Sequence, residues 1–271
     1  MTNSSYVLGH SDPELARLKM QARLLEPVTR QFLREAGIRA GMRVLDVGSG
    51  AGDVTMLAAE LVGESGEVIG TDTAAAAVTA AMRSAQVRGL RNVSFRRGDP
   101  AEMGFDGSFD AVVGRYVLLF QPDPVATVRK LAGHVRSGGL VVFQEPDWVS
   151  AHSVPPAATY DRCCGWIRET FRRAGTDSDM ATKLYTTFVS AGLATPSMRM
   201  QTFIGGGPAC TDFLQAVADL ISTLIPTMER LGVATAAEIA IATLAERLSR
   251  EATANGSVII GRSDIAAWSR V

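Results

Sequence analysis

The stretch Val44-Leu45-Asp46-Val47-Gly48-Ser49-Gly50-Ala51-Gly52-Asp53 decides the fold. Arg43 to Val47 reads as a short buried strand and Val54 to Val62 keeps a helical spacing of apolar residues, so the segment predicts strand, tight turn, helix. Three glycines at alternate positions let the backbone turn sharply and let a ligand approach closer than any side chain would allow. A Gly-x-Gly-x-Gly alone is also met in turns that bind nothing. Its place directly before a helix N-terminus, where backbone N–H groups are free, is what points to a ligand.

Working outward, the alternation repeats. Strands are predicted near Val68–Thr71, Val93–Arg96, Ala111–Gly114 and Leu140–Gln144, with helices near Ala74–Arg88 and Pro124–Val135. Such alternation implies a parallel sheet covered on both faces, with ligands at the rim where the strands end. Asp123 is placed to cap a helix that opens on Pro124, and Ser137-Gly138-Gly139 is expected to break the chain before the next strand. Upstream, Leu15, Leu18, Ala22, Leu25, Val28 and Phe32 mark one face of an amphipathic helix. Downstream the rhythm changes: helices at Tyr160–Arg173, Met180–Ala191, Thr211–Arg230 and Ala236–Glu251, and strands at Ser197–Phe203 and Ile265–Val271. The expected organisation is an N-terminal helical cap (1–40), a ligand-binding core (41–147), and remaining core strands with helical substrate-binding or lid insertions (148–271).

Two further carboxylates fall where a nucleoside needs them. Asp72 ends the second strand about 20 residues beyond the glycine turn, where an acid accepts hydrogen bonds from both ribose hydroxyls. Asp99 follows the third strand in Gly98-Asp99-Pro100, a position equally suited to a helix cap. Composition narrows the rest. The 27 Lys and Arg nearly balance the 28 Asp and Glu, which removes any global field for nucleic acid or an anionic membrane. No run approaches the roughly 18 apolar residues of a membrane span. Cys163, Cys164 and Cys210 match neither a disulfide framework nor a zinc spacing, and His10, His134 and His152 are scattered, so a reducing, cytoplasmic, metal-independent protein is expected.

These segments resemble class I S-adenosylmethionine (SAM)-dependent methyltransferases, particularly the ubiquinone/menaquinone-biosynthesis-like branch with small-molecule substrates. The resemblance runs from about Arg43 to Asp147. It implies a Rossmann-like, doubly wound, mostly parallel seven-stranded sheet with helical lid additions. It implies that Asp46, Gly48, Ser49, Gly50 and Gly52 meet the methionine part of SAM. Asp72, with Thr73, would meet the ribose, and Gly98, Asp99 and Pro100 the adenine. Phe109-Asp110-Ala111-Val112-Val113-Gly114-Arg115 looks like the fourth-strand motif, which places Arg115 at the cofactor. Arg136-Ser137-Gly138-Gly139-Leu140 resembles the family's Arg-Pro-Gly-Gly turn, with Ser137 replacing proline. Pro100 departs from the pattern, because it has no N–H to offer adenine.

The sulfonium of SAM activates its own methyl carbon, so the protein must chiefly align nucleophile, carbon and sulfur and exclude water. Orientation of that kind contributes roughly 7–11 kcal/mol in favourable cases. A hydroxyl or carbon-acid acceptor would still gain from a base. Glu145, Asp147, His10 and His152 are the candidates. Tyr6, Tyr116 and Trp148 are candidate substrate walls, core packing being the alternative for the last two, and Arg17 and Gln21 candidate contacts to the methionine end. Gly114-Arg115-Tyr116-Val117 stands where enzymes that methylate bases or glutamine carry Asn/Asp-Pro-Pro-Tyr, and where catechol-type enzymes hold magnesium, which disfavours both. The product would be S-adenosylhomocysteine and the substrate a mostly apolar metabolite, with a homodimer left open. Two rivals stand beside this reading. One is a SAM-binding protein of the same fold that catalyses another reaction, such as a cyclisation, or regulates. The other is an NAD-dependent oxidoreductase, disfavoured by Gly50-x-Gly52 and by Asp99.

Overall fold

The computed structural model describes residues 25–271. Tyr6, His10, Arg17 and Gln21 lie outside the described residues. In chain order the elements are α1 (residues 25–36), β1 (Arg43–Val47), α2 (Asp53–Val62), β2 (Glu67–Asp72), α3 (Ala75–Val87), β3 (Val93–Arg97), β4 (Phe109–Arg115), α4 (Pro124–Ala132) and β5 (Val135–Asp147). Then follow β6 (His152–Val154), α5 (Ala158–Arg173), α6 (Met180–Ser190), β7 (Ser197–Gly206), α7 (Thr211–Arg230), α8 (Ala236–Ile239), α9 (Leu244–Ala254) and β8 (Val258–Arg270). Two compact units result. A sheet unit holds Leu25–Glu145, Met180–Met200 and Ile265–Val271; a helical unit holds Pro146–Asp179 and Gln201–Asp264.

The strand order is β3-β2-β1-β4-β5-β8-β6, with β7 also on β8. Neighbours among the first five strands are parallel. The chain steps from β1 outward through β2 to β3 and then returns to place β4 on the other side of β1. The order therefore reverses between β1 and β4, and in open α/β sheets the crevice at such a reversal receives the ligand. Among the described residues the sheet has eight strands rather than seven. The extra one is β6, antiparallel to β8 through His152↔Ile260 and Val154↔Val258; three residues are too few to show alternation in the sequence.

Period-two alternation separates the two faces of the sheet unit. Val44, Val68, Ala111, Val113 and Val142 pack with Leu33 of α1 and with Val54, Leu57 and Ala58 of α2. Leu45, Ile69, Val112, Val141 and Phe143 pack with Val128 and Leu131 of α4 and Leu184 and Phe188 of α6. Asp46 shares the α2 face with Val44, which is why a carboxylate enters an otherwise apolar layer. The helical unit has its own core, with Tyr160, Cys163, Cys164 and Ile167 of α5 against Leu214, Ile221 and Leu224 of α7 and Leu244 and Leu248 of α9. Burial pushes the Cys163 and Cys164 thiols up to about 12, so both stay neutral core residues.

Three expectations need correction. Ser137-Gly138-Gly139 does not precede the strand; it lies inside β5, whose register against β4 slips between Phe109↔Val135 and Ala111↔Leu140. Gly138 sits at φ +72°, and a Cβ on Gly139 would meet Val135 Cγ1 at 2.4 Å, so the glycines make a bulge. The helix expected at Ala236–Glu251 is broken at Ala240, whose φ of +49° is left-handed, into α8, a 3₁₀ turn and α9. The last strand begins at Val258 rather than Ile265, directly after the Asn255-Gly256 turn.

Candidate functional site

The ends of β1, β2, β3 and β4 bring the glycine turn, Asp72, Asp99 and Arg115 to one rim of the sheet unit. The turn is pinned from both sides. Ser49 N–H donates to Thr71 O at 2.8 Å and Gly52 N–H to Ser49 O at 2.8 Å. Asp72 then takes Gly50 N–H on Oδ2 at 3.0 Å and Ala74 N–H on Oδ1 at 2.8 Å. One carboxylate thereby fixes the glycine turn to the loop after β2. Each of its oxygens keeps a lone pair for a further donor.

The three glycines of the turn have different reasons to be glycine. A Cβ on Gly48 would meet Val117 Cγ2 at 2.8 Å, and one on Gly52 would meet Phe95 Cζ at 3.0 Å and Ala81 Cβ at 3.1 Å. Gly50, at φ +54°, faces nothing within 4 Å. Packing explains the outer two, whereas Gly50 leaves open space in front of its backbone, as a close-lying ligand requires. Gly52 also caps α2 without any side-chain hydrogen bond.

Asp46 is 1% exposed. Its Oδ2 accepts Thr55 Oγ1–H at 2.6 Å, while Oδ1 is buried with no hydrogen-bond partner among the described residues. Burial pushes its carboxyl up to about 7, against the pull of the Thr55 hydroxyl and the Arg115 charge. Ser49 Oγ is likewise buried and unsatisfied. Two orphaned polar atoms behind a glycine with open space fit a polar ligand lying over the turn.

At the third strand, Gly98 N–H donates to Asp72 O at 2.9 Å, tying the two loops together. Asp99 is exposed, and its Oδ1 accepts Ala101 N–H at 2.9 Å. Pro100 is buried, and its carbonyl lies 2.8 Å from His134 Nε2. A carbonyl only accepts, so Nε2 carries the proton. Thr73 is exposed and its carbonyl accepts Arg97 Nε–H at 3.2 Å.

Arg115 ends β4 one residue beyond the pair Val47↔Gly114 and opposite Gln144. Its Nη1 donates to Thr29 Oγ1 at 3.1 Å, and Thr29 donates to Gln144 Oε1 at 2.9 Å. Tyr116 follows at φ +61°, a left-handed conformation uncommon for a bulky residue. It is partly buried against the α4 and α6 face.

The four remaining candidates divide. Glu145 is fully buried, and its Oε1 accepts both Val117 N–H at 3.0 Å and Leu118 N–H at 2.7 Å, so it caps a turn. In the helical unit, Asp147 is buried and its Oδ1 accepts Val149 N–H at 2.9 Å. Trp148 is 3% exposed in the apolar core, with the Arg262 guanidinium 5.5 Å from its ring. His152 is exposed, with Nδ1 2.7 Å from Ser150 O. Sequence reasoning missed Thr29, Thr55, Gln144 and His134; only Thr55, nine residues from Asp46 on the adjoining helix, had a spacing that pointed to its partner.

A parallel sheet that reverses at β1 and β4, with a glycine turn and acids at its rim, is the architecture of a nucleoside-cofactor-binding α/β protein. More particularly, the chain belongs to the methyltransferase domain family, whose signature matches residues 38–192, more than half of its length. It is 38% identical over 121 residues to aklanonic acid methyltransferase from Streptomyces sp. strain C5, covering 44% of this chain and 55% of that protein. It is 32% identical over 117 residues to demethylmenaquinone methyltransferase from Staphylococcus aureus, covering 43% of this chain and 48% of that one. The chain thus spans about half the length of these relatives. A SAM-dependent methyltransferase from Aquifex aeolicus shares the fold, with a TM-score of 0.54 at 21% identity over 70% of this chain and 92% of that one. Among the described residues, no helix is long and apolar enough to cross a membrane.

Proposed function

We propose that this protein is a SAM-dependent methyltransferase that methylates a small, mostly apolar metabolite. The observation that carries the reading is the rim of the sheet unit, where Asp46 Oδ1 and Ser49 Oγ are buried without partners behind the open space at Gly50. The methyltransferase relatives support it.

When bound, SAM supplies a methyl group already activated by a sulfonium. The chain's own residues have the tasks of binding and orientation. Asp72, fixed by Gly50 N–H and Ala74 N–H, presents its remaining lone pairs to the ribose hydroxyls. Asp99 offers a carboxylate oxygen to the adenine amino group, and His134 holds the adjoining Pro100 carbonyl in place. Asp46 and Ser49 would meet the methionine part. Glu145 supports the turn after β4 through Oε1, which accepts two backbone N–H groups, and stays a candidate base through its other oxygen. Asp147 and His152 stay as candidate bases, and Tyr116 and Trp148 as candidate walls of a substrate site. The proposed organisation keeps 1–40 as an N-terminal helical cap, 41–147 as the cofactor core, and 148–271 as remaining core strands with helical substrate-binding or lid insertions. The reading extends to a cytoplasmic protein with no nucleic-acid partner and with homodimerisation open.

Calorimetric titration with SAM, S-adenosylhomocysteine and NAD in parallel tests the cofactor. Micromolar binding of the first two without NAD is expected, and NAD binding alone would overturn the proposal. Asp72→Ala should weaken S-adenosylhomocysteine about 100-fold or more, the loss of two charge-assisted hydrogen bonds, while circular dichroism still reports a folded protein. Screening metabolites for S-adenosylhomocysteine release separates methyl transfer from a reaction that leaves SAM unchanged.

A further inference from the structure

The side chains of Arg115, Thr29 and Gln144 form a hydrogen-bonded chain at the end of β4. Three elements converge on it: α1 supplies Thr29, β4 Arg115 and β5 Gln144, the last two directly opposite each other in the sheet. Thr29 is 2% exposed and Gln144 3% exposed. A hydroxyl has one hydrogen, and Thr29 gives it to Gln144 Oε1 at 2.9 Å, which leaves its lone pairs to receive Arg115 Nη1 at 3.1 Å. The direction of every bond in this hydrogen-bonded chain is fixed by the carbonyl of Gln144, since that atom only accepts.

The consequence is a guanidinium held at one end by Thr29 and lying over the Tyr116 ring, 6.0 Å from its centroid, with no anion paired to it among the described residues. Arg115 is partly buried, yet among the described residues it has no carboxylate within ion-pair distance. The acid that feels its charge is Asp46, already bonded to Thr55. A semi-buried guanidinium is costly to leave without an anion, and its planar fork suits a carboxylate. It stands one residue past the strand pair Val47↔Gly114, beside the start of the glycine turn.

Resting on the reading of the rim as the SAM site, we propose that Arg115 recognises the α-carboxylate of the cofactor's amino-acid end, and that Thr29 and Gln144 are positioning residues that aim it. Asp46 and Arg115 then offer opposite charges to the two ends of a zwitterion, and helix α1 is part of the cofactor site through one hydroxyl. Specificity follows: the protein prefers adenosyl compounds that keep the carboxylate over those that keep only the amine.

The test uses three probes, S-adenosylhomocysteine, its decarboxylated analogue and methylthioadenosine, titrated into the full chain. The unmodified protein should bind S-adenosylhomocysteine about 30-fold more tightly than the decarboxylated analogue, the worth of one charge-assisted pair. Arg115→Met should close that gap and leave methylthioadenosine binding unchanged. Thr29→Val should narrow the gap about threefold, and Thr29→Ser, which restores the hydroxyl, should reopen it. A merely structural role for Thr29 would weaken all three probes together, which overturns its assignment as a positioning residue. An Arg115→Met protein that keeps the full preference, or that weakens both amine-bearing probes equally, overturns the carboxylate assignment while the SAM reading stands. If the unmodified protein binds none of the three, the SAM reading falls and takes this inference with it.

Discussion

At the residue scale, the least expected role is that of Glu145. A buried carboxylate at a strand end invites a reading as a base, but its Oε1 takes the N–H groups of Val117 and Leu118 just after Tyr116, whose own N–H goes to Gln144 O at 2.8 Å. Tyr116 sits at φ +61°, which costs a non-glycine residue about 1 kcal/mol or more. Three hydrogen bonds over two residues of β5 hold it there. Glu145→Ala should therefore orphan two buried donors and destabilise the protein by about 3 kcal/mol in urea denaturation. Glu145→Gln, which keeps a carbonyl acceptor, should cost about 1 kcal/mol. If the two variants lose equal stability, the carboxylate is not acting as the cap. In the sequence, Glu145 was visible only as an acid after the fifth strand; its partners lie 27 and 28 residues away, and no local pattern encodes them.

At the scale of elements, α4 and α2 begin in opposite ways. Asp123 closes α4 with its own side chain, accepting Ala126 N–H at 2.9 Å ahead of Pro124 at the first turn. This was legible because cap and proline are adjacent in sequence. Asp123→Ala should cost about 1 kcal/mol in the same assay, and no measurable change would mean that α4 is held by packing alone. Helix α2 has Gly52 at its cap and no side-chain hydrogen bond there, and its N-terminus faces the rim. The glycine turn, Asp72 and Asp99 were legible for the same reason as Asp123, their chemistry being carried by short spacings next to strands. Thr29 was not, because its bond to Gln144 spans 115 residues. Among the helices, Thr211–Arg230 was read with its observed ends, since its apolar stripe is continuous. The break at Ala240 was not, because no glycine or proline marks it; instead, Arg247 donates to the Ile239 and Ala240 carbonyls at the left-handed residue.

At the scale of the whole molecule, stability should carry the signature of Asp46. Its folded-state pKa of about 7 lies above the ordinary carboxylate value of 3.8 that an unfolded chain would show, with burial as the first cause. Between those two values the folded protein holds a proton that the unfolded chain has lost. Stability from this group is therefore greatest at low pH, falls as pH rises through that window, and levels off above about 7. Carboxylates with lowered values, such as Asp110 beside Arg43 and Arg136, act in the opposite sense under acid conditions, so the whole-protein curve is a sum. The comparison that isolates Asp46 is with Asp46→Asn, whose amide does not titrate. Relative to that variant, the unmodified protein without ligand should lose about 2 kcal/mol between pH 5 and pH 8 in urea denaturation. Parallel curves for the two proteins would mean that Asp46 is ionised throughout that range and that burial does not raise its pKa. With S-adenosylhomocysteine saturating, the difference should shrink, because the ligand's ammonium brings to the buried carboxylate a counter-charge nearer than that of Arg115.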